Sequence, residues 1–142
     1  MSFEDFIGTW KLVSFELRRR EEIQYPFGED PEGFIMYTPD GRMAAFVAPR
    51  NRMHFKSGDV MGGSVEEKVA AVDTFVSYCG WFEVLSDRVV HHVEMSLFPN
   101  WVGATQERFF KFEGSQLTLS TAPLLVYGEM QTAHLIWEKI QS

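Results

Sequence analysis

The 142-residue chain has one cysteine, Cys79, which excludes a disulfide framework and a thiolate metal cluster. With no base beside it in sequence, Cys79 reads as an inert, half-buried thiol on a strand. No run approaches the eighteen apolar residues that signal a membrane-spanning helix. The opening MSFEDFIGTW is acidic rather than a basic leader with an apolar core, so a cytoplasmic location is expected. Basic charge is also scarce, with 13 Lys and Arg against 20 Asp and Glu and a formal charge of -7. The one basic cluster, Arg18 to Arg20, runs straight into Glu21 and Glu22, and nonspecific nucleic-acid binding is excluded. No glycine-rich phosphate loop or dinucleotide fingerprint occurs, so no cofactor is expected.

Aromatic content, by contrast, is high at 15%, with 13 Phe, and it suits a β-rich core in a single domain spanning 1–142. The stretch from Tyr78 to Thr121 sets the architecture. A two-residue turn at Ser86 and Asp87 places Val84 opposite Val89, Phe82 opposite His91 and Gly80 opposite Val93. His91 then shares an inward face with Phe82, Val93 and Met95, while Trp81, Glu83, His92 and Glu94 point outward. A second turn at Gly114 and Ser115 pairs Phe110 with Leu119 and Arg108 with Thr121. Because Glu107, Lys111 and Glu113 mark the wet side of that strand, Gln106 and Arg108 face inward. Pairing Met95 with Gln106 would set Val93 beside Arg108.

Elsewhere, Ser2 with Asp5 suggests a short capped helical turn before a strand from Gly8 to about Leu17, whose Trp10, Leu12, Ser14 and Glu16 share a face. Residues 18–32 read as a long loop. Phe34 to Val47 is a hairpin around Thr38-Pro39-Asp40-Gly41-Arg42, where Pro sets φ and Gly takes the left-handed position. Ser64 with Glu67 forms a capping box for a helix carrying Val65, Val69, Val72 and Val76 at helical spacing. Residues 122–129 read as a loop, and Met130 to Ile140 is the last strand, with Trp137 inward.

Eight strands result, with tight connections at Pro39, Ser86 and Gly114 alternating with long ones near Gly28, Met61, Asn100 and Tyr127. Alternate connections of an up-and-down meander lie at opposite ends. The expected fold is therefore all-β: an eight-stranded antiparallel barrel with one helix between its third and fourth strands, near the open end. Such a barrel is just wide enough inside for one small ligand.

Several motifs resemble a family. Gly8-x-Trp10 looks like the lipocalin signature, and Lys139 stands where that superfamily places a basic residue against the indole, a cation–π lid over the closed end. Tyr37 to Arg42, Tyr78-Cys79-Gly80, and the run from His91-His92-Val93-Glu94 through Pro99-Asn100-Trp101 to Gln106-x-Arg108 resemble the small lipocalin-like domain proteins found mainly in bacteria. The resemblance covers nearly the whole chain. It implies a calycin-type barrel, with Gly8, Trp10 and Lys139 as barrel-floor residues, and little about activity. The chain is expected to have no secretory leader, and it departs from secreted lipocalins in lacking a disulfide and the second lipocalin motif and in having Lys where Arg is usual in the third.

The expected ligand site combines a floor containing Tyr37 and Met43, an apolar wall of Phe82, Met95 and Phe110, and polar contacts from Tyr78, His91, Gln106, Arg108 and Thr121. An inward guanidinium needs an acceptor. That acceptor is either Glu16 with a Gln106–Tyr78 network or an anionic ligand group. His91 is either a passive hydrogen-bonding histidine or a proton acceptor. No metal site is expected, because adjacent His91 and His92 face opposite sides of a strand. The leading function is binding of a small hydrophobic or amphipathic molecule with an acidic or carbonyl group. The alternative is a cofactor-independent isomerase or cyclase in which Arg108 and Tyr78 stabilise an enolate while His91 moves the proton. Trp101 at the open end and outward Trp81 suit either packing roles or a homodimer interface.

Overall fold

The structure, a computed structural model, describes residues 2–141. The short helix α1 (Phe3–Phe6) precedes β1 (Gly8–Arg19), β2 (Glu22–Gln24), β3 (Glu32–Tyr37) and β4 (Arg42–Ala48). Helix α2 (Val65–Asp73) follows, and then β5 (Val76–Val84), β6 (Arg88–Ser96), a 3-10 turn (Pro99–Trp101), β7 (Thr105–Glu113), β8 (Gln116–Ser120), β9 (Leu124–Val126) and β10 (Glu129–Lys139). Strands β1, β3, β4, β5, β6, β7, β8 and β10 pair in that order, and β10 returns to β1, closing an eight-stranded antiparallel barrel. Closure leaves no free edge around the wall. No helix among the described residues is long and apolar enough to cross a membrane.

Two segments expected as loops each contain a short strand. β2 pairs with the outer end of β1, and β9 pairs with the start of β10. Three-residue strands have too little alternation to read from sequence. The β9–β10 turn, Tyr127-Gly128, has both residues at positive φ, 51° and 78°, as a tight hairpin requires.

The hairpin registers agree with the sequence reading: Phe82 opposes His91, Phe110 opposes Leu119, and Tyr37 opposes Met43. The register across the long connection from β6 to β7 differs. Gln106 lies opposite His91 and Arg108 opposite Val89, not opposite Met95 and Val93. The offset is even, so the inward face of β7 is preserved while its residues slide toward the closed end.

Two β-bulges reverse parity. In β1, Leu12 opposes Trp137 and Ser14 opposes Ile136, leaving Val13 unopposed. Beyond it Phe15 and Leu17 turn inward, and Ser14 and Glu16 leave the face they were expected to share with Trp10 and Leu12. In β6, Gly80 opposes Val93 and Cys79 opposes Met95, leaving Glu94 unopposed. Met95 is thereby thrown outward, 70% exposed, instead of lining the wall. Gly80 permits this bulge, because a Cβ there would meet the His92 carbonyl oxygen at 1.8 Å.

The closed end is sealed by α1. The Asp5 carboxylate accepts from Ser2 N at 2.8 Å, and Phe6, fully buried, packs edge-on against Tyr37, Phe110 and Phe112. Phe3 stacks on Phe82 at 4.9 Å. Trp10 Nε1 donates to the Phe6 carbonyl at 2.9 Å. Lys139 sits over the Trp10 ring at 4.6 Å and donates to the Ile7 carbonyl, so the basic lid and the N-terminal plug are one assembly. Gly8, at φ +131°, leaves room for it, since a Cβ would lie 2.7 Å from Lys139 Cε. At the other end, α2 is capped as expected, with Ser64 Oγ accepting from Glu67 N at 3.1 Å and Glu67 Oε1 from Ser64 N at 2.9 Å. It buries none of its residues, and Val76 belongs to β5 rather than to the helix.

Phe6→Ala is expected to destabilise the fold by about 3–5 kcal/mol, since a buried aromatic leaves a cavity among three other rings. Urea unfolding of the two proteins checks this. A loss under about 1 kcal/mol would show that the plug adds little to the floor.

Candidate functional site

A cavity of about 580 Å³ runs from the barrel interior to the open end. Its wall is mostly apolar and includes Phe15, Leu17 and Ile35, with Phe27, Phe75 and Trp101 among the rings around it. The 3-10 turn brings Trp101 edge-on to Tyr78 at 5.6 Å, so this loop residue covers the polar part of the cavity. Val72 and Asp73 place the C-terminal end of α2 at the same cavity.

Of the expected site residues, Tyr78, His91, Arg108 and Thr121 line this cavity together. Thr121 Oγ1 accepts from Ala133 N at 2.9 Å, which ties the end of β8 to β10. Gln106 stands behind Arg108 instead of at the cavity surface, its Oε1 accepting from the guanidinium at 2.9 Å. Tyr37, Met43, Phe82 and Phe110 belong to the packed floor next to the α1 plug and do not line the cavity. The plug fills the closed end of the barrel, and the hollow begins above it. Trp81 stacks on His92 at 3.7 Å on the outer wall.

Arg108 carries the site's charge. Besides Gln106, it donates to the Glu107 carbonyl at 3.1 Å, and its guanidinium lies beside the Tyr78 hydroxyl. No carboxylate lies within ion-pair distance of it among the described residues. Glu16, its expected partner, is instead paired with Arg18 at 2.7 Å on the outer face, because the β1 bulge turned it there. The Arg108 cation in the cavity wall is therefore uncompensated by the protein.

His91 is fully buried, and both its ring nitrogens are engaged: Nε2 lies 2.8 Å from Tyr37 Oη, and Nδ1 lies 2.7 Å from Tyr78 Oη. Burial, and next the Arg108 cation, hold its pKa well below the ordinary histidine value. Burial also raises both tyrosines above the ordinary phenol value, against the opposing pull of Arg108. All three side chains are thus neutral at pH 7. Sequence alternation found Tyr78 and His91 on one interior. It missed the Tyr37 bond, whose partners are 54 residues apart, and the plug that buries it, for which the only signal was Phe3 and Phe6 beside a capping residue.

Trp137, buried and at the cavity wall, has the one buried side-chain polar atom without a hydrogen-bond partner among the described residues, its Nε1. Together with Arg108, this makes the site rich in donors and poor in free acceptors.

The depressed pKa of His91 sets a pH dependence. The unfolded chain takes up a proton near pH 6.5 and the folded protein does not, so the stabilisation is complete above that pH and is lost as pH falls below it. Each pH unit in that window should remove about 1.4 kcal/mol through His91. Half-exposed His134, whose pKa is also lowered, first by burial, adds to the same trend. Urea titrations between pH 7 and 5 should show a shallower slope for His91→Phe than for the wild-type protein. Equal slopes would show that His91 protonates in the folded state.

The comparisons with known proteins follow the same architecture. The lipocalin-like domain family matches residues 7–140. A protein of Aspergillus oryzae (strain ATCC 42149 / RIB 40), named as a 4'-hydroxy-3'-methoxypropiophenone carrier protein, is 36% identical over 107 residues, covering 69% of this chain and 96% of the relative. By sequence match, closed barrel and Gly8–Trp10–Lys139 closure, the chain belongs to the lipocalin-like domain family.

Proposed function

We propose that this protein binds and carries a small, largely apolar molecule bearing one carbonyl or acidic oxygen, which it holds against Arg108 and Tyr78. The observation that carries the reading is the guanidinium lining an apolar cavity without a carboxylate partner. A half-buried cation in an apolar wall without a counter-charge is unfavourable, and an oxygen acceptor on a ligand supplies what the protein withholds. The cavity volume falls within the range of about 300–1,000 Å³ common for small-molecule sites. The ligand in that relative's name, an aryl ketone with a phenol, has this chemistry: an aromatic body and oxygen acceptors.

A second reading is favoured by one observation, the Tyr37–His91–Tyr78 chain that reaches the cavity beside Arg108. In a cofactor-independent isomerase or cyclase, Tyr78 and Arg108 would stabilise an enolate oxygen and His91 would act through Tyr78. Both ring nitrogens of His91 are already engaged, so it has no free nitrogen for a substrate, and this favours binding over turnover.

Calorimetric titration with a small aryl carboxylate and its methyl ester tests the charge preference. The wild-type protein should favour the carboxylate, and Arg108→Ala should weaken that ligand about tenfold or more, the scale of a lost charged hydrogen bond, with little change for the ester. Equal affinity for both ligands in both proteins would reject the role given to Arg108.

A further inference from the structure

The buried Tyr37–His91–Tyr78 chain has one way to place its hydrogens that strands none in the packed floor. Neutral imidazole offers one N–H and one lone pair, so one tyrosine must donate to the ring and the other must accept from it. The Tyr37 hydroxyl reaches only His91 among the described residues, and Tyr37 is 2% exposed. Were His91 Nε2 to carry the proton and donate to Tyr37, the phenolic hydrogen would be buried without an acceptor, an unfavourable arrangement. Tyr37 therefore donates to Nε2. The remaining ring proton is on Nδ1 and goes to Tyr78 Oη, 2.7 Å away.

Tyr78 now has its lone pair taken by the ring, and its own hydrogen must point elsewhere. The neighbouring guanidinium of Arg108 has only N–H groups to offer. Among the other polar or titratable groups at the cavity, Asp73 and Tyr127 are exposed, and Thr121 Oγ1 already accepts from Ala133 N. No protein acceptor within hydrogen-bond distance takes the Tyr78 hydrogen among the described residues.

We infer that Tyr37 and His91 are positioning residues that order these protons, so that Tyr78 presents its O–H to the cavity and, with Arg108, forms a donor-only clamp selecting ketone, phenolate or carboxylate oxygens. The inference rests on the carrier reading and adds to it a specificity mechanism in which Tyr37, outside the cavity, decides what binds inside it. A ligand oxygen with only lone pairs satisfies both donors. Its deoxygenated counterpart leaves the Tyr78 hydroxyl and the guanidinium without acceptors, and such unpaired polar groups give strong discrimination.

The proton order is read directly by nitrogen-15 NMR of the histidine rings in the ligand-free wild-type protein at pH 7, with His91→Phe used to assign the resonance. His91 should be the Nδ1–H tautomer, and the Nε2–H tautomer would overturn the inference. Selectivity is read from the affinity ratio of 4'-hydroxy-3'-methoxypropiophenone to 2-methoxy-4-propylphenol, which lacks only the ketone oxygen. The wild-type ratio should exceed about tenfold. Tyr78→Phe should abolish most of it. Tyr37→Phe should reduce it similarly, because His91 can then accept from Tyr78 and draw its hydrogen away, and the double variant should lose no more than either single one. Additive losses, or an unchanged ratio in a folded Tyr37→Phe protein, would overturn the positioning role. Failure of the wild-type protein to bind either probe or the carboxylate, with the Nδ1–H tautomer present, would remove the carrier reading and the selectivity while leaving the proton order standing.

Discussion

The placement of one guanidinium inside an apolar barrel, with no carboxylate to neutralise it, is the constraint on which the site depends. Drawing such a charge partly out of water without a counter-charge is unfavourable. Arg108 reduces that penalty through the Gln106 side chain and the Glu107 carbonyl, and the remaining N–H groups face a hollow. The same charge shapes its neighbours, opposing protonation of His91 and easing the effect of burial on the two tyrosines. The polar end of the cavity is thus a neutral hydrogen-bonded chain beside a fixed cation.

That arrangement needs a rigid floor, and the N-terminal plug supplies it. Phe6 packs among Tyr37, Phe110 and Phe112, and Phe3 stacks on Phe82. Lys139 and Trp10 bind the plug's carbonyls, which joins both ends of the chain at the closed end of the barrel. The floor holds Tyr37 at the lower nitrogen of His91, so the geometry of the donor group at the cavity depends on packing at the sealed end. The open end is built differently. Helix α2 buries none of its residues, and Val65, Val69 and Val72 are all exposed, leaving a lightly packed rim around a rigid cup.

Local sequence carried most of the architecture. The turns at Ser86, Gly114 and Pro39 set the hairpin registers, since a short turn leaves the flanking strands little freedom. Alternation then put Tyr78, His91 and Arg108 on one interior, as the structure has them. Where a long connection intervened, as between β6 and β7, the facing side survived and the partners shifted by four residues. The bulges at Val13 and Glu94 were not legible, because a one-residue insertion leaves the hydrophobic pattern on each side intact and changes only their relative phase. They account for the two largest departures, the exposure of Met95 and the outward turn of Glu16.

By itself, then, the sequence determined an all-β barrel and an inward-facing polar set, because turn chemistry and period-two alternation are local properties of the chain, while the closure by Gly8, Trp10 and Lys139 was implied by the family resemblance. Only tertiary structure decided that Arg108 would lack a carboxylate, that Tyr37 would belong to the floor, and that His91 would bridge two tyrosines. Each of those outcomes depends on where bulges reset the phase of a strand and on how a plug fills one end. Both are settled by packing between residues far apart in sequence, where no local pattern records the answer.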